Sequence, residues 1–337
     1  MDVSQNTLLF AVSGGGGRSA ATEVPAADPD SVARDQAAEP ISSGQFALEL
    51  IQRQIRRLGR LQAEVLADRD PEPLHQMRVS LRRLRTALGQ FAPALDLPDG
   101  ITIRRIAAVA RRSSLCRDLD VLRLRLADDL MPRLPEDERH DLHVMIKRIG
   151  RERAQAFGAM VESLHSSRYL KLLASLSKWQ KRPRFTAVGE LPLTEWLYEW
   201  QEPFTAGLFL HSGWTSHDPE ADDLHALRKH IKGARYSLES FESWCSPALQ
   251  QWIDQLRQAQ QHLGDLHDLQ ILGQIITKQE SLKKKQRFPV LKAEVGATQM
   301  FHWQQWRDLA SQFGQAGSRM AFRRELVCLG PSASVSR

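Results

Sequence analysis

A chain of 337 residues, 42% of them hydrophobic, suits two units of roughly 150 residues and has ample length to bury a core. Lys and Arg outnumber Asp and Glu by 46 to 40, a formal charge of +6 that points to polyanions as macromolecular partners. Cys116, Cys245 and Cys328 form no CxxC pair, which argues against a disulfide framework and for a reducing compartment; no apolar run is long enough to span a bilayer, and the early run at 8–12 lacks the basic segment of a signal peptide.

Residues 1–42 carry a glycine run and no helical period, and are expected to be a disordered tail. From Gln45, Phe46, Leu50, Ile51, Ile55, Leu58, Leu61 and Val65 keep a helical period to about 67. Asp70 at the N-cap and Pro71 at N1 start a second helix that ends near Phe91, ahead of Pro93. One long helix is expected over 101–130, another over 135–165 and a shorter one over 169–179. Residues 181–192, with two prolines and a glycine, mark the boundary between halves 43–180 and 193–326. The second half is read as helices over 193–211, 224–241 and 246–277, a basic run at Lys283, Lys284, Lys285 and Arg287, a last helix or pair over 295–326, and a tail at 327–337. Valine and isoleucine are sparse and alternation is rare, so the fold class is all-α.

The stretch LHQMRVSLRRLRTALGQF at 74–91 returns as LHALRKHIKGARYSLESF at 224–241. The alignment runs without a gap from 74–122 onto 224–272, about 10 of its 49 positions are identical, and they fall on His, Arg, Asp and core Leu, Ile or Phe, the mark of a duplicated helical unit. Each copy carries His, then Arg, then two further basic residues on one line: His75, Arg78, Arg82 and Arg85, and His225, Arg228, Lys232 and Arg235. At about 100° per residue, each line occupies an arc of roughly 80° beside the apolar stripe of Leu74, Met77, Leu81, Leu84 and Leu88. The cations therefore run along the edge of a packed face, where a solvated face would place them opposite it.

Asp118 and Asp268 recur in register, but no HxxxH or carboxylate cluster has ligand spacing, so neither a metal nor another cofactor is expected. Each Asp is instead expected to hold a stripe cation by a charge-assisted bond. Arg117, with His267 as its counterpart, is expected to be semi-buried beside a counter-charge, and Trp179, Trp196, Trp200, Trp244, Trp252, Trp303 and Trp306 sit at core spacings as packing residues.

His75-x-x-Arg78 with Arg82, Arg83 and Arg85, then RDLDVL, then His225-x-x-Arg228 with Lys232, Arg235, Tyr236 and Glu239, resemble the two halves of a CHAD domain, the conserved histidine α-helical domain. The likeness covers about residues 43–325 and includes SRYLKLLASLSKW at 167–179. It implies two four-helix bundles related by a pseudo-twofold axis, with a cationic cleft or pore between long helices. It also implies binding of inorganic polyphosphate and association with polyphosphate granules in the cytoplasm. The implied binding set is His75, Arg78, Arg82, Arg83, Arg85, Arg111, Arg117, His225, Arg228, Lys229, Lys232 and Arg235. Gly233 replaces the second residue of the Arg pair and His267 replaces Arg117, so the second half is expected to grip less strongly.

Such family members can be joined to a triphosphatase domain with an ExExK signature. The nearest string here, Glu136-Asp137-Glu138-Arg139-His140, lacks the Lys, and no phosphate loop or nucleophile motif appears, so no catalysis is expected. A phosphohistidine relay, metal-dependent phosphate handling and nucleic-acid binding are the rival readings. Successive stripe residues lie about 4.5 to 6 Å apart along the axis, so one helix can follow phosphates over roughly 15 Å.

Overall fold

The computed structural model describes residues 40–283 and 287–330. Most of the predicted N-terminal tail, residues 331–337 and the side chains of the basic run at 283–285 lie outside the described residues. Within them the chain is helical, with no strand and two isolated β-bridges. The helices are α1 (Ser43–Ala67), α2 (Glu72–Gln90), α3 (Ile103–Arg112), α4 (Ser114–Leu124), α5 (Glu136–His165), α6 (Ser167–Trp179), α7 (Leu197–Thr205), α8 (Asp222–Glu239), α9 (Pro247–Lys283), α10 (Pro289–Gly314) and α11 (Ala316–Val327). No described helix is long and apolar enough to cross a membrane.

Helix α1 starts where the Ser42 hydroxyl accepts the Gln45 N–H at 3.2 Å and stops at Asp68, whose φ of 50° is left-handed. In α2 the cap is shifted by one residue from the expectation. Pro71 holds the cap position, while the Asp70 carboxylate still accepts the Glu72 N–H at 2.7 Å. The predicted apolar stripe of α2 is buried throughout.

The single helix expected over 101–130 is broken at Ser113 into α3 and α4, and α4 runs into a π-helical turn at Arg125–Leu130. The break has a local cause. The Ala110 carbonyl accepts from Ser113 Oγ at 2.9 Å, Ser114 Oγ at 3.2 Å and the Arg78 guanidinium at 2.8 Å, which compete with the backbone ladder. The helix expected over 193–211 is also shorter: α7 ends at Thr205, two residues after the internal Pro203. Conversely, α9 runs six residues beyond the expected end, and 295–326 resolves into the pair α10 and α11.

Helix α2 packs on α1 and α3, and α5 packs on α3, α4 and α6. In the other part of the chain α8 packs on α7 and α9, while α9 packs on α10 and α11. The two groups meet where α2 lies against α8, and one continuous apolar cluster extends from Phe46 to Leu329. Residues 181–192 are pinned rather than loose. Gly44 N–H donates to the Gly189 carbonyl at 2.8 Å, Ser43 N–H to that of Leu191 at 2.9 Å, and Thr186 N–H to that of Ala94 at 3.1 Å. A Cβ at Gly189 would stand 2.2 Å from the Ala94 oxygen. Gly189→Ala is therefore expected to cost about 2 kcal/mol or more in a denaturant titration, since backbone on both sides must shift.

Most of the tryptophans pack as expected, Trp179, Trp200, Trp303 and Trp306 being buried, but Trp196 is 38% exposed on the turn before α7.

Two charged side chains of α5 tie the chain together at long range. Glu138 on α5 is buried and accepts the first-turn N–H groups of α10, Val290 at 2.7 Å and Leu291 at 2.8 Å. Arg153 of α5 clamps Asp120 of α4 at 2.9 Å and Asp68 at the end of α1, and these partners raise its pKa well above the ordinary arginine value.

Candidate functional site

The α2–α8 junction brings the two basic stripes together. Gln90 donates to Ser237 Oγ at 2.7 Å and to the Trp200 carbonyl at 3.1 Å, and the Phe91 and Phe241 rings lie 6.0 Å apart. Further along, Arg82 donates to the Tyr236 hydroxyl at 3.0 Å, and its cation lies 5.5 Å from the centre of that ring. The ladder continues with Arg83 on Glu239 at 3.3 Å.

Lys232 of α8 stands within electrostatic reach of Arg82, Arg228, Arg235 and Arg78 and has no carboxylate partner among the described residues. Burial first, then those four guanidiniums, lower its pKa to about 7. Arg228 lies against the helix backbone at Gly264 of α9, where a Cβ would come within 2.9 Å of its guanidinium. Its Nε is buried without a hydrogen-bond partner among the described residues. The equivalent cation of the first copy, Arg78, is tethered by Ala110, Ser113 Oγ at 3.2 Å and Ser114 Oγ at 2.9 Å. Position 114 corresponds to position 264, so a serine hydroxyl ties Arg78 where a glycine leaves Arg228 open.

The histidines differ in the same way. Burial and then Arg117 lower the pKa of His75, against the opposing pull of Glu72. His225 has its ring centre 4.7 Å from that of His267, and its Nδ1 is buried and unpartnered. Burial, then Lys229 and His267, lower its pKa.

Of the predicted set, Arg83 and Arg235 carry ion pairs to one carboxylate. Glu239 receives Arg83, Arg235 at 2.6 Å and Arg257 at 3.2 Å, and Arg235 is buried over the Tyr236 ring at 4.3 Å. The single Glu239 carboxylate offsets only part of this charge, and both arginines hold helices together, Arg83 across the α2–α8 junction and Arg235 by donating to Gln260 of α9 at 3.2 Å. Arg85, Arg111, Arg117 and Lys229 have no ion pair or side-chain hydrogen bond among the described residues; Arg117 is half-buried and the other three are exposed.

The bonds expected from Asp118 and Asp268 are absent. Neither carboxylate has a hydrogen bond or ion pair among the described residues. Burial raises the pKa of both; Arg78 and then Arg228 oppose the rise at Asp118, and Arg228 and then Arg125 oppose it at Asp268. The counter-charge expected for Arg117 is likewise not a bonded one. No group of three or more His, Cys, Asp or Glu with the arrangement of a metal site occurs among the described residues.

Sequence reasoning missed the holders of the site. Ser113 and Ser114 tether Arg78 and Gly264 makes room for Arg228, yet Ser114 stands opposite Gly264 in the repeat, so no recurring letter marked them.

The CHAD domain model matches residues 49–277. The CHAD domain from the plant Ricinus communis superposes with a TM-score of 0.55 at 22% identity, over 86% of this chain and 92% of that one. PptA from Streptomyces chartreusis superposes with a TM-score of 0.52 at 17% identity, over 84% and 99%. No curated protein matches the sequence. Likenesses at these identities speak for the fold, and the family match, over more than half of the chain, for its membership: this chain belongs to the CHAD domain family.

Proposed function

We propose that the chain is a non-catalytic binder of inorganic polyphosphate, held in a cationic cleft between two helical bundles of a pseudo-twofold pair. The observation that carries the reading is the convergence of Arg78, Arg82, Arg228 and Lys232 from both copies, none of them in an ion pair among the described residues. Lys232 is within electrostatic reach of Arg82, Arg228, Arg235 and Arg78, and the buried Nε of Arg228 has no hydrogen-bond partner among the described residues. Such a cluster opposes itself in the free protein, and a polyanion relieves it. Asp118 supports a concave shape, because its side chain is exposed to solvent while the surrounding protein still desolvates its carboxylate.

Arg78, held by three acceptors, is a fixed donor; Arg82, Arg228 and Lys232 line the cleft, and Arg85, Arg111, Arg117 and Lys229 extend it. His75 and His225 add charge as the ligand arrives. The expected weakness of the second copy is revised accordingly, since Arg228 and Lys232 are its least compensated cations. Granule association follows from this affinity. Glu138 of the acidic string is engaged as a helix cap, which favours binding over hydrolysis.

Titration of purified protein with long-chain polyphosphate, in competition with DNA and RNA at equal phosphate concentration, tests the reading. Polyphosphate is expected to bind and to resist displacement, and displacement by nucleic acid would contradict it. With Mg²⁺ present, no orthophosphate release is expected.

Binding should also take up protons. Lys232, at about 7 in the free protein, regains its charge beside phosphate, so affinity rises as pH falls from the alkaline side and the gain levels off below about 7. His75 and His225, both below 6.5 when free, add a further gain as pH falls past that value. Calorimetry in two buffers of different ionisation enthalpy measures the uptake, and equal heats in both would refute it.

A further inference from the structure

Away from the α2–α8 junction, α3, the end of α5 and the start of α6 border an open cavity of about 860 Å³. Its lining includes Arg105, Arg111, Arg112 and Arg168, with Glu162 as the one carboxylate. Arg112 and Arg168 are exposed and have no side-chain partner among the described residues. Arg105 gives one Nη1 bond to the Gly100 carbonyl at 2.7 Å and keeps its remaining donors. The α6 start faces the same space: Ser166 and Ser167 line it, and the N–H groups of Ser167 and Arg168 precede any intrahelical acceptor.

The cavity is continuous in charge with the junction. Arg85 on α2 is within electrostatic reach of Arg82 on one side and of Arg111 on the other, and Arg111 itself lines the cavity. From Arg105 to Arg112, α3 advances about 10 Å, enough for several phosphates.

We propose that this cavity is a second anion subsite, in which Arg105, Arg112 and Arg168 hold the continuation of a polyphosphate chain leaving the junction over Arg85 and Arg111. The inference rests on the polyphosphate reading of the junction and adds a chain-length dependence to it. A short oligophosphate is satisfied at the junction, whereas a long chain occupies both places.

The test compares the full-length protein with the triple variant Arg105→Gln/Arg112→Gln/Arg168→Gln, using tripolyphosphate and long-chain polyphosphate at several salt concentrations. For the long chain, the triple variant should bind more weakly, with the slope of log affinity on log salt shallower by about 3. For tripolyphosphate, affinity should be unchanged. Unchanged long-chain affinity and slope in the triple variant would overturn the subsite alone. An equal loss for both ligands would also overturn it, by showing a general field effect. Failure of the unmodified protein to bind the long chain would remove the polyphosphate reading and the subsite with it. The three residues are exposed, and a thermal melt confirms that each protein compared is folded.

Discussion

Replacing Arg228 and Lys232 together by alanine is expected to weaken long-chain polyphosphate binding about 100-fold or more, since each charge-assisted contact is worth about 1.5–3 kcal/mol and 1.4 kcal/mol is tenfold. The pair is chosen on structural grounds. Neither cation has an ion pair among the described residues, and neither bridges helices by a hydrogen bond or ion pair as Arg82, Arg83 and Arg235 do. Lys232 has a further signature. Its folded pKa, about 7, lies below its ordinary value of 10.5, so the folded chain holds fewer protons there than the unfolded one. Its charge therefore opposes folding below about 10.5, most fully below about 7. Lys232→Ala alone should weaken binding while leaving the melting temperature near pH 7 equal or higher. A lower melting temperature at unchanged affinity would show that Lys232 is a packing residue.

The second large effect concerns stability. Glu138→Ala is expected to destabilise the fold by about 3 kcal/mol, because two first-turn N–H groups of α10, that of Leu291 buried and that of Val290 partly buried, lose a charged acceptor. Glu138→Gln keeps one acceptor oxygen and should recover part of that loss. Denaturant titration measures both variants, and binding by the folded fraction should be unaltered. A loss below about 0.5 kcal/mol for Glu138→Ala would mean that water satisfies the α10 terminus.

These contacts show where sequence reading succeeds. The all-α class and the stripe were legible because a 3.6-residue period and a gapless repeat are local patterns, and Leu74, Met77, Leu81, Leu84 and Leu88 are buried as that period requires. The Ser113 break was hidden because three donors meet on the Ala110 carbonyl, one of them from Arg78 on another helix. The same holds for Arg83, which reads as a free cation until Glu239 arrives from 156 residues away. Glu138 looked like part of an incomplete metal-binding string, and only the position of α10, 152 residues on, gives it the role of a cap. Charge patterns along one helix identify candidate cations, whereas the carboxylates that neutralise some of them are set by tertiary packing.

Phe46 illustrates how that packing holds the junction. Its ring lies 5.7 Å from both Phe91 and Phe241 and 5.1 Å from Trp244, so the matching ends of α2 and α8 share one aromatic cluster with α1. The cluster fixes the register in which Arg82 meets Tyr236 and Lys232 meets the guanidiniums.

The most direct test of the account is the salt dependence of long-chain polyphosphate affinity. Junction cations that remain uncompensated should each release about one counterion on binding, so log affinity should fall against log salt with a slope of about −4 or steeper. The Arg228→Ala/Lys232→Ala variant should be shallower by about 2. A slope near zero in the unmodified protein, or the same slope in both proteins, would contradict the account.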